Sequence, residues 1–395
     1  MTRGVEEGSR RWKRRLALLV LSVVAGALPL GLAEVALRLA GYEAIYDVYS
    51  KPSLFWQHDA LLGWSHTPDS SGVYVGPRPW PIEFETPITI NSLGLRGPDL
   101  QPRQPRELRI LALGDSRTAA FEVPYEQTFT ALLERSLTER LRRPVRVINA
   151  GVRGYGTDQS LLYFRDRGHR LDPDVILFLS ANNDPTNNMT IHRMRRPFGK
   201  AAFALGPGGA LELKGYPVPR FPHCSSWIMT SDFQPRRTDG VVNRVACHLQ
   251  MRVADHSALF TLAAMRIRQN PRLLQRLYRL GVPKEARKID APTAPFILTS
   301  RLLRELSAEA TRHGAGLAVF LTADQAPKLD TAAMDAAGIR VEIVHRNLEE
   351  GIDSRSIRFL NDSHYNEAGH RLLAARMEPV ALDLLLASER GEAPR

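Results

Sequence analysis

The chain has 395 residues, 53 Lys and Arg against 42 Asp and Glu, and a net charge of +11. With 44% hydrophobic and 24% charged residues it reads as a globular chain, which excludes a collagen, a coiled coil and a disordered tail. Two cysteines, Cys224 and Cys247, exclude a disulfide scaffold and a paired CxxC zinc site, and a mean hydropathy of −0.23 leaves room for one membrane span but not several.

The first 15 residues form a basic tail carrying Arg3, Arg10, Arg11, Lys13, Arg14 and Arg15, reduced to a net +4 by Glu6 and Glu7. An uncharged run follows from Leu16 to Ala33 and ends at Glu34. A helix of that length covers roughly 27 Å, close to the hydrocarbon thickness of a bilayer. The basic tail is then expected to stay in the cytoplasm, with 16–40 as a signal anchor and the body exported across the inner membrane into the periplasm or beyond. A cleaved signal peptide is the alternative, because Ala25-Gly26-Ala27 and Gly31-Leu32-Ala33 both resemble cleavage sites. The run exceeds a typical signal-peptide core, which favours the anchor. Much of the positive charge is thus a topology signal, and no nucleic-acid partner is expected. A second basic stretch, 265–288, has amphipathic leucines at 273, 274, 277 and 280 and offers contact with an anionic glycan or lipid; a solvated helix face is the simpler reading.

Residues 41–106 are rich in Pro, Gly, Trp and Tyr, with extended pieces at Gly72 to Val75 and Pro87 to Ile90, and read as an accessory linker region. From Leu108 the pattern changes to strand (Leu108 to Leu113), helix (Pro124 to Arg142), strand (Val145 to Ala150), helix (Gln159 to Arg167) and strand (Asp174 to Ser180). This alternation predicts an α/β domain over 107–390 with a mostly parallel sheet. An insertion at 186–295 interrupts it and holds both cysteines, which an oxidising compartment would allow to pair. The rhythm resumes with a helix (Leu298 to Thr311), strands (Leu317 to Thr322 and Ile339 to Val344) and a closing helix after Asn366.

Chemistry-bearing residues collect at the predicted strand ends. Gly114-Asp115-Ser116 follows the first strand, so Ser116 sits near a helix N-terminus as either a nucleophile or an N-cap; taken alone, the cap is the simpler reading. Gly154 follows the second strand and Asn183 the third, each readable as a turn residue. His364, two residues after Asp362, precedes the last helix, where a carboxylate can hold an imidazole as general base. His370 reads as a helix residue only.

Gly114-Asp115-Ser116, Gly154, Asn183 and His364, in that order, resemble the four motif blocks of the SGNH hydrolase (GDSL esterase/lipase) superfamily, and the anchor with the Pro87 to Gly97 stretch resembles its membrane-anchored bacterial branch. The resemblance covers about 108–185 and 296–388. It implies a three-layer αβα sandwich of flavodoxin-like kind, with Ser116 as nucleophile, His364 as base, and the Ser116 and Gly154 N–H groups and the Asn183 amide as oxyanion donors. Three positions depart from the pattern. Asn361 stands where many members carry the acid, which shifts that role to Asp362; Ala181 replaces a glycine; and Arg117 to Val123 differs from relatives that have bulkier or glycine residues. The implied activity is a serine esterase acting on acyl esters, O-acetyl groups on an envelope carbohydrate or a lipid ester, without metal or cofactor. An O-acetyltransferase using the same serine and a non-catalytic glycan-binding protein are the alternatives.

Overall fold

The computed structural model describes residues 2–42, 55–76, 82–253, 256–268, 294–344 and 355–391, apart from 195, 197 and 324, with isolated positions at 270, 272, 273, 276 and 353. Most of the basic stretch 265–288 therefore lies outside the described residues.

The chain begins with helix α1 (Thr2–Leu39). Its Trp12–Leu39 part, 28 residues of mean hydropathy 2.4, has no fully buried residue in its apolar stretch and is long and apolar enough to cross a membrane. Two antiparallel hairpins follow: β1 (Trp56–Asp59) with β2 (Gly63–His66), and β3 (Ser71–Gly76) with β4 (Phe84–Thr89).

The α/β domain then starts with β5 (Leu108–Gly114), the single turn α2 (Ser116–Ala119), α3 (Phe129–Leu141), β6 (Val145–Asn149), α4 (Thr157–Asp166), β7 (Val175–Leu179) and α5 (Asp184–Met189). The inserted segment contributes short strands β8 (Thr190–His192), β9 (Ala202–Leu205), β10 (Leu211–Lys214), β11 (Trp227–Met229) and β12 (Pro235–Arg237), then α6 (Val241–Val253) and α7 (Ala258–Arg268). Cys224 and Cys247 pair within it, with their Cα atoms 5.6 Å apart. The α/β order returns with α8 (Ala294–Arg312), β13 (Gly316–Leu321), α9 (Thr331–Ala336), β14 (Arg340–Ile343) and α10 (Glu367–Glu389).

The central sheet has five strands in the order β14-β13-β7-β5-β6, all parallel. Renumbered by sequence this is 2-1-3-4-5, the flavodoxin-like order, in which ligands bind outside the strand ends where the order reverses, between the first and third strands. Here those are β5 and β7. Both faces are buried, which explains why the strands read as unbroken apolar runs. Ile110, Ala112, Val175, Leu177 and Phe320 face α3 and α10 through Phe129, Leu133, Leu373 and Met377. Leu111, Leu113, Ile176, Phe178 and Val319 face α4 and α8 through Leu161, Phe164, Leu302 and Leu306.

The second of these clusters extends into the N-terminal hairpins. Phe55, Trp56, Tyr74, Phe84 and Ile88 are buried in it together with Phe121 and Tyr155. The helix α1 also meets the body: the Glu34 carboxylate accepts the Ala258 and Leu259 N–H groups and the Ser257 hydroxyl, each at 2.9 Å, at the N-terminus of α7.

Candidate active site

Ser116 is delivered by a turn that requires glycine. Gly114 has φ +149, and a Cβ there would lie 2.3 Å from Thr118 Oγ1 and 2.7 Å from the Leu179 carbonyl on the neighbouring strand. Asp115 rather than Ser116 caps the following helical turn, its Oδ1 accepting the Arg117 N–H at 2.9 Å. The capping expectation for Ser116 is thereby replaced: its hydroxyl is left for other contacts, and its N–H, at the first helical position, lacks an intrahelical acceptor.

The structure brings the C-terminal histidine to that hydroxyl. His364 Nε2 lies 2.8 Å from Ser116 Oγ. Its Nδ1 hydrogen-bonds Asp362 Oδ1, which also accepts the His364 backbone N–H at 2.9 Å. A two-residue spacing suits this because an Asp side chain reaches the backbone two positions on in an Asx turn, here catching the ring as well. Burial alone would raise the Asp362 carboxyl, but the hydrogen bonds and charge of His364 outweigh it and hold the acid below its ordinary value. A carboxylate at Nδ1 fixes the proton there and leaves Nε2 as the acceptor facing Ser116. The side chains of His364 and Asp362 are each 18% exposed, so the pair lies at the protein surface.

Gly154 lies on the loop after β6, and Asn183 on the loop after β7. Gly154 adopts φ +81, with Trp64 3.5 Å from where a Cβ would stand. Its loop is fastened to the N-terminal hairpin: Trp64 Nε1 donates to the Arg153 carbonyl at 3.1 Å, and the Tyr155 hydroxyl donates to the Trp64 carbonyl at 2.6 Å. The Asn183 amide donates to Asp115 Oδ2 at 3.4 Å, an oxygen that also lies 3.3 Å from Ser116 Oγ. Asp184 braces this loop by accepting the Ser180 hydroxyl and the Ala181 N–H. Burial, reinforced by the charge of Asp115, pushes the Asp184 carboxyl well up.

Two charged residues next to the histidine were not singled out from sequence. Glu122 is buried at the end of the Arg117 to Val123 stretch and stands 3.4 Å from His364 Nδ1. It is paired with Arg153, whose guanidinium also covers the Tyr74 ring at 4.9 Å. The ligand atoms of Glu122, Asp362 and His364 lie within 4.8 Å of one another, and Arg153 already supplies the positive charge among them. The signal available in the sequence was the departure from the family pattern at this stretch, although nothing there named a partner for Glu122. His370, by contrast, is buried on α10 and accepts the Phe129 N–H on Nδ1 at 3.3 Å. Burial, with some contribution from the Arg96 charge, lowers its pKa to about 3.

A parallel sheet that presents a hydroxyl and an imidazole in contact at its switch point is the framework of a carboxylic ester hydrolase of the α/β class. The chain belongs to the GDSL-like lipase/acylhydrolase family, whose model matches residues 112–372. No curated protein matches the sequence significantly. Among solved structures the chain is similar to TesA, at 13% identity and TM-score 0.37 over 70% of this chain and 99% of that one. It is similar to the psychrotrophic esterase EstA from Pseudoalteromonas sp., at 13% identity and TM-score 0.36, covering 70% and 98% of the two chains. A variant of Axe2, an acetyl-xylooligosaccharide esterase from Geobacillus, gives 12% identity and TM-score 0.35, covering 70% and 94%.

Proposed function

We propose that the chain is a membrane-tethered serine esterase that removes acyl groups, O-acetyl above all, from an envelope carbohydrate, with Ser116 as nucleophile, His364 as base and Asp362 as the acid that orients it. The observation carrying this reading is the 2.8 Å contact between His364 Nε2 and Ser116 Oγ, with the Asp362 carboxylate on the far nitrogen.

In the first half-reaction Ser116 Oγ bonds to the ester carbonyl carbon as its proton passes to His364 Nε2. The carbonyl oxygen becomes an oxyanion within reach of the Ser116 and Gly154 N–H groups and the Asn183 amide; donors of this kind are each worth about 10²- to 10³-fold in rate. Collapse breaks the bond to the alcohol, which takes the proton from Nε2 as it leaves. Water then loses a proton to the same nitrogen as it bonds to the acyl carbon; collapse breaks the bond to Ser116 Oγ, which takes the proton back from Nε2, and the acid leaves.

Two features support the substrate class. The site is partly exposed at the protein surface, which suits a short acyl group projecting from a bulky polymer better than a long chain needing a tunnel. The apolar part of α1, Trp12–Leu39, is long enough to span a bilayer and longer than a signal-peptide core, and the basic residues at its N-terminal end favour retention in the inner membrane with the body on the periplasmic side. Hydrolysis of p-nitrophenyl acetate by the purified full chain, compared with Ser116→Ala and His364→Ala, tests the reading. Loss of at least 10³-fold in both variants is expected, about the scale at which triad members act; equal rates in all three would overturn it.

A further inference from the structure

Glu122 is placed where no single-acid triad requires a residue. Its Oε1 stands 3.4 Å from His364 Nδ1, the nitrogen whose hydrogen bond goes to Asp362, so two carboxylates lie beside the same ring nitrogen. The side chain is 1% exposed, its Oε1 is bound by the Arg153 guanidinium, which is itself 5% exposed, and its Oε2 has no hydrogen-bond partner among the described residues. Burying a carboxylate with one oxygen unsatisfied is unfavourable, and a surrounding ion pair alone gives no reason to aim it at an imidazole. The charge balance does give one. Asp362, Glu122 and Arg153 together carry a net −1, the same as one triad acid, so the imidazolium formed during attack has two carboxylates beside Nδ1 without an excess of negative charge that would resist burial.

We propose that Glu122 is a second carboxylate partner of the His364 imidazole, a positioning residue held in place by Arg153 and able to orient the ring when Asp362 is neutralised. This rests on the esterase reading above, in which His364 is the base. Arg153 fixes the side chain, and the Arg153 loop is in turn fixed by Trp64, so the second acceptor depends on the N-terminal hairpin.

The test uses the full chain in detergent with p-nitrophenyl acetate, and reads in parallel the downfield Nδ1 proton resonance of His364, which needs no turnover. Where a triad has one acid, its replacement by the amide lowers kcat about 10⁴-fold. Here Asp362→Asn is expected to lose only about 10²-fold, with Asp362→Asn/Glu122→Gln falling to the level of about 10⁴-fold. Because Glu122→Gln takes the carboxylate charge away from the buried Arg153 guanidinium and threatens folding, Glu122→Gln/Arg153→Met removes both charges. That variant is expected to lower kcat about 10-fold at unchanged KM, on the scale of losing one hydrogen bond to a charged group, and to shift the resonance. A purely structural ion pair predicts the reverse: Glu122→Gln/Arg153→Met within twofold of wild type, an unmoved resonance, and Asp362→Asn alone as damaging as the double variant. That result would overturn the inference while leaving wild-type turnover, and so the esterase reading, intact. An inactive wild type would instead remove the esterase reading, and the resonance would then still decide whether Glu122 touches the ring.

Discussion

Glu83 accepts the backbone N–H of Asn361 at 2.8 Å, across 278 positions of sequence. Its other oxygen accepts the Leu360 N–H at the same distance, and the adjoining Phe84 ring packs 4.9 Å from Phe359. The loop that carries Asp362 and His364 is therefore clamped by Glu83, just before β4, and Phe84 at its start, outside the α/β domain.

Glu83→Ala should consequently act on catalysis more than on stability. The clamp is exposed, so its loss is expected to lower Tm by no more than a few degrees, whereas release of the loop misplaces His364 relative to Ser116. Small misplacements of a catalytic group cost up to about 10²-fold. We expect kcat on p-nitrophenyl acetate to fall about 10- to 100-fold with little change in KM, measured beside a thermal melt. A fall in Tm without a change in kcat would show that the clamp is only structural.

Asn183→Ala tests the oxyanion assignment. Among the described residues the Asn183 amide makes only a long 3.4 Å contact with Asp115, so its removal is expected to spare the fold while deleting one donor from the third strand end. Loss of about 10²- to 10³-fold in kcat is expected, as for a single oxyanion donor, with the melt unchanged. Undiminished kcat would take Asn183 out of the proposed machinery.

The sheet was legible because its strands are buried on both faces and read as continuous apolar runs, from Leu108 to Leu113 and from Val175 to Leu179. The juxtaposition of Ser116 and His364 was legible because each follows a strand end or precedes a helix, where local sequence fixes the backbone; Gly154 and Asn183 lie on strand-end loops of the same kind. The hairpin Trp56 to His66 was not legible: its strands have four residues each and alternate only weakly. Nor was the role of Glu83, Glu122 or Arg153. A charged residue in sequence reads as solvated, and only tertiary packing reveals that Glu122 and Arg153 neutralise each other while buried.

Buried histidines make stability depend on pH: His66, His192 and His370 are all buried, and burial holds each below the ordinary imidazole value. His66 is held down to about 4, chiefly by burial, and His370 to about 3, again chiefly by burial. Both folded pKa values lie below the unfolded value near 6.5, so the unfolded chain binds more protons and stability falls with acidification from about pH 6.5 toward 4. At pH 5 each histidine contributes a loss of about 2 kcal/mol relative to pH 7. Tm should drop on going from pH 7 to 5, and His370→Asn should show a smaller drop than wild type despite a lower Tm at pH 7. A pH-independent Tm over this range would contradict the burial of both rings in solution.

The disulfide ties α6 to the loop before β11. Cys224 and Cys247 enclose a 23-residue separation, and closing a loop of that size in the unfolded chain is worth about 3 kcal/mol in the chain-entropy account. Both sulfurs lie in the inserted segment, and their recorded neighbours, Met251 Sδ and the His223 carbonyl, belong to that segment too. Cys224→Ser/Cys247→Ser is therefore expected to lower Tm by several degrees and to leave kcat on p-nitrophenyl acetate within about twofold of wild type, since stability changes distant from a site usually act independently of it. Thiol titration of the unfolded wild-type chain should find no free cysteine before reduction and two after. A large loss of kcat at full folding would mean instead that the inserted segment shapes the acyl site through its bridge.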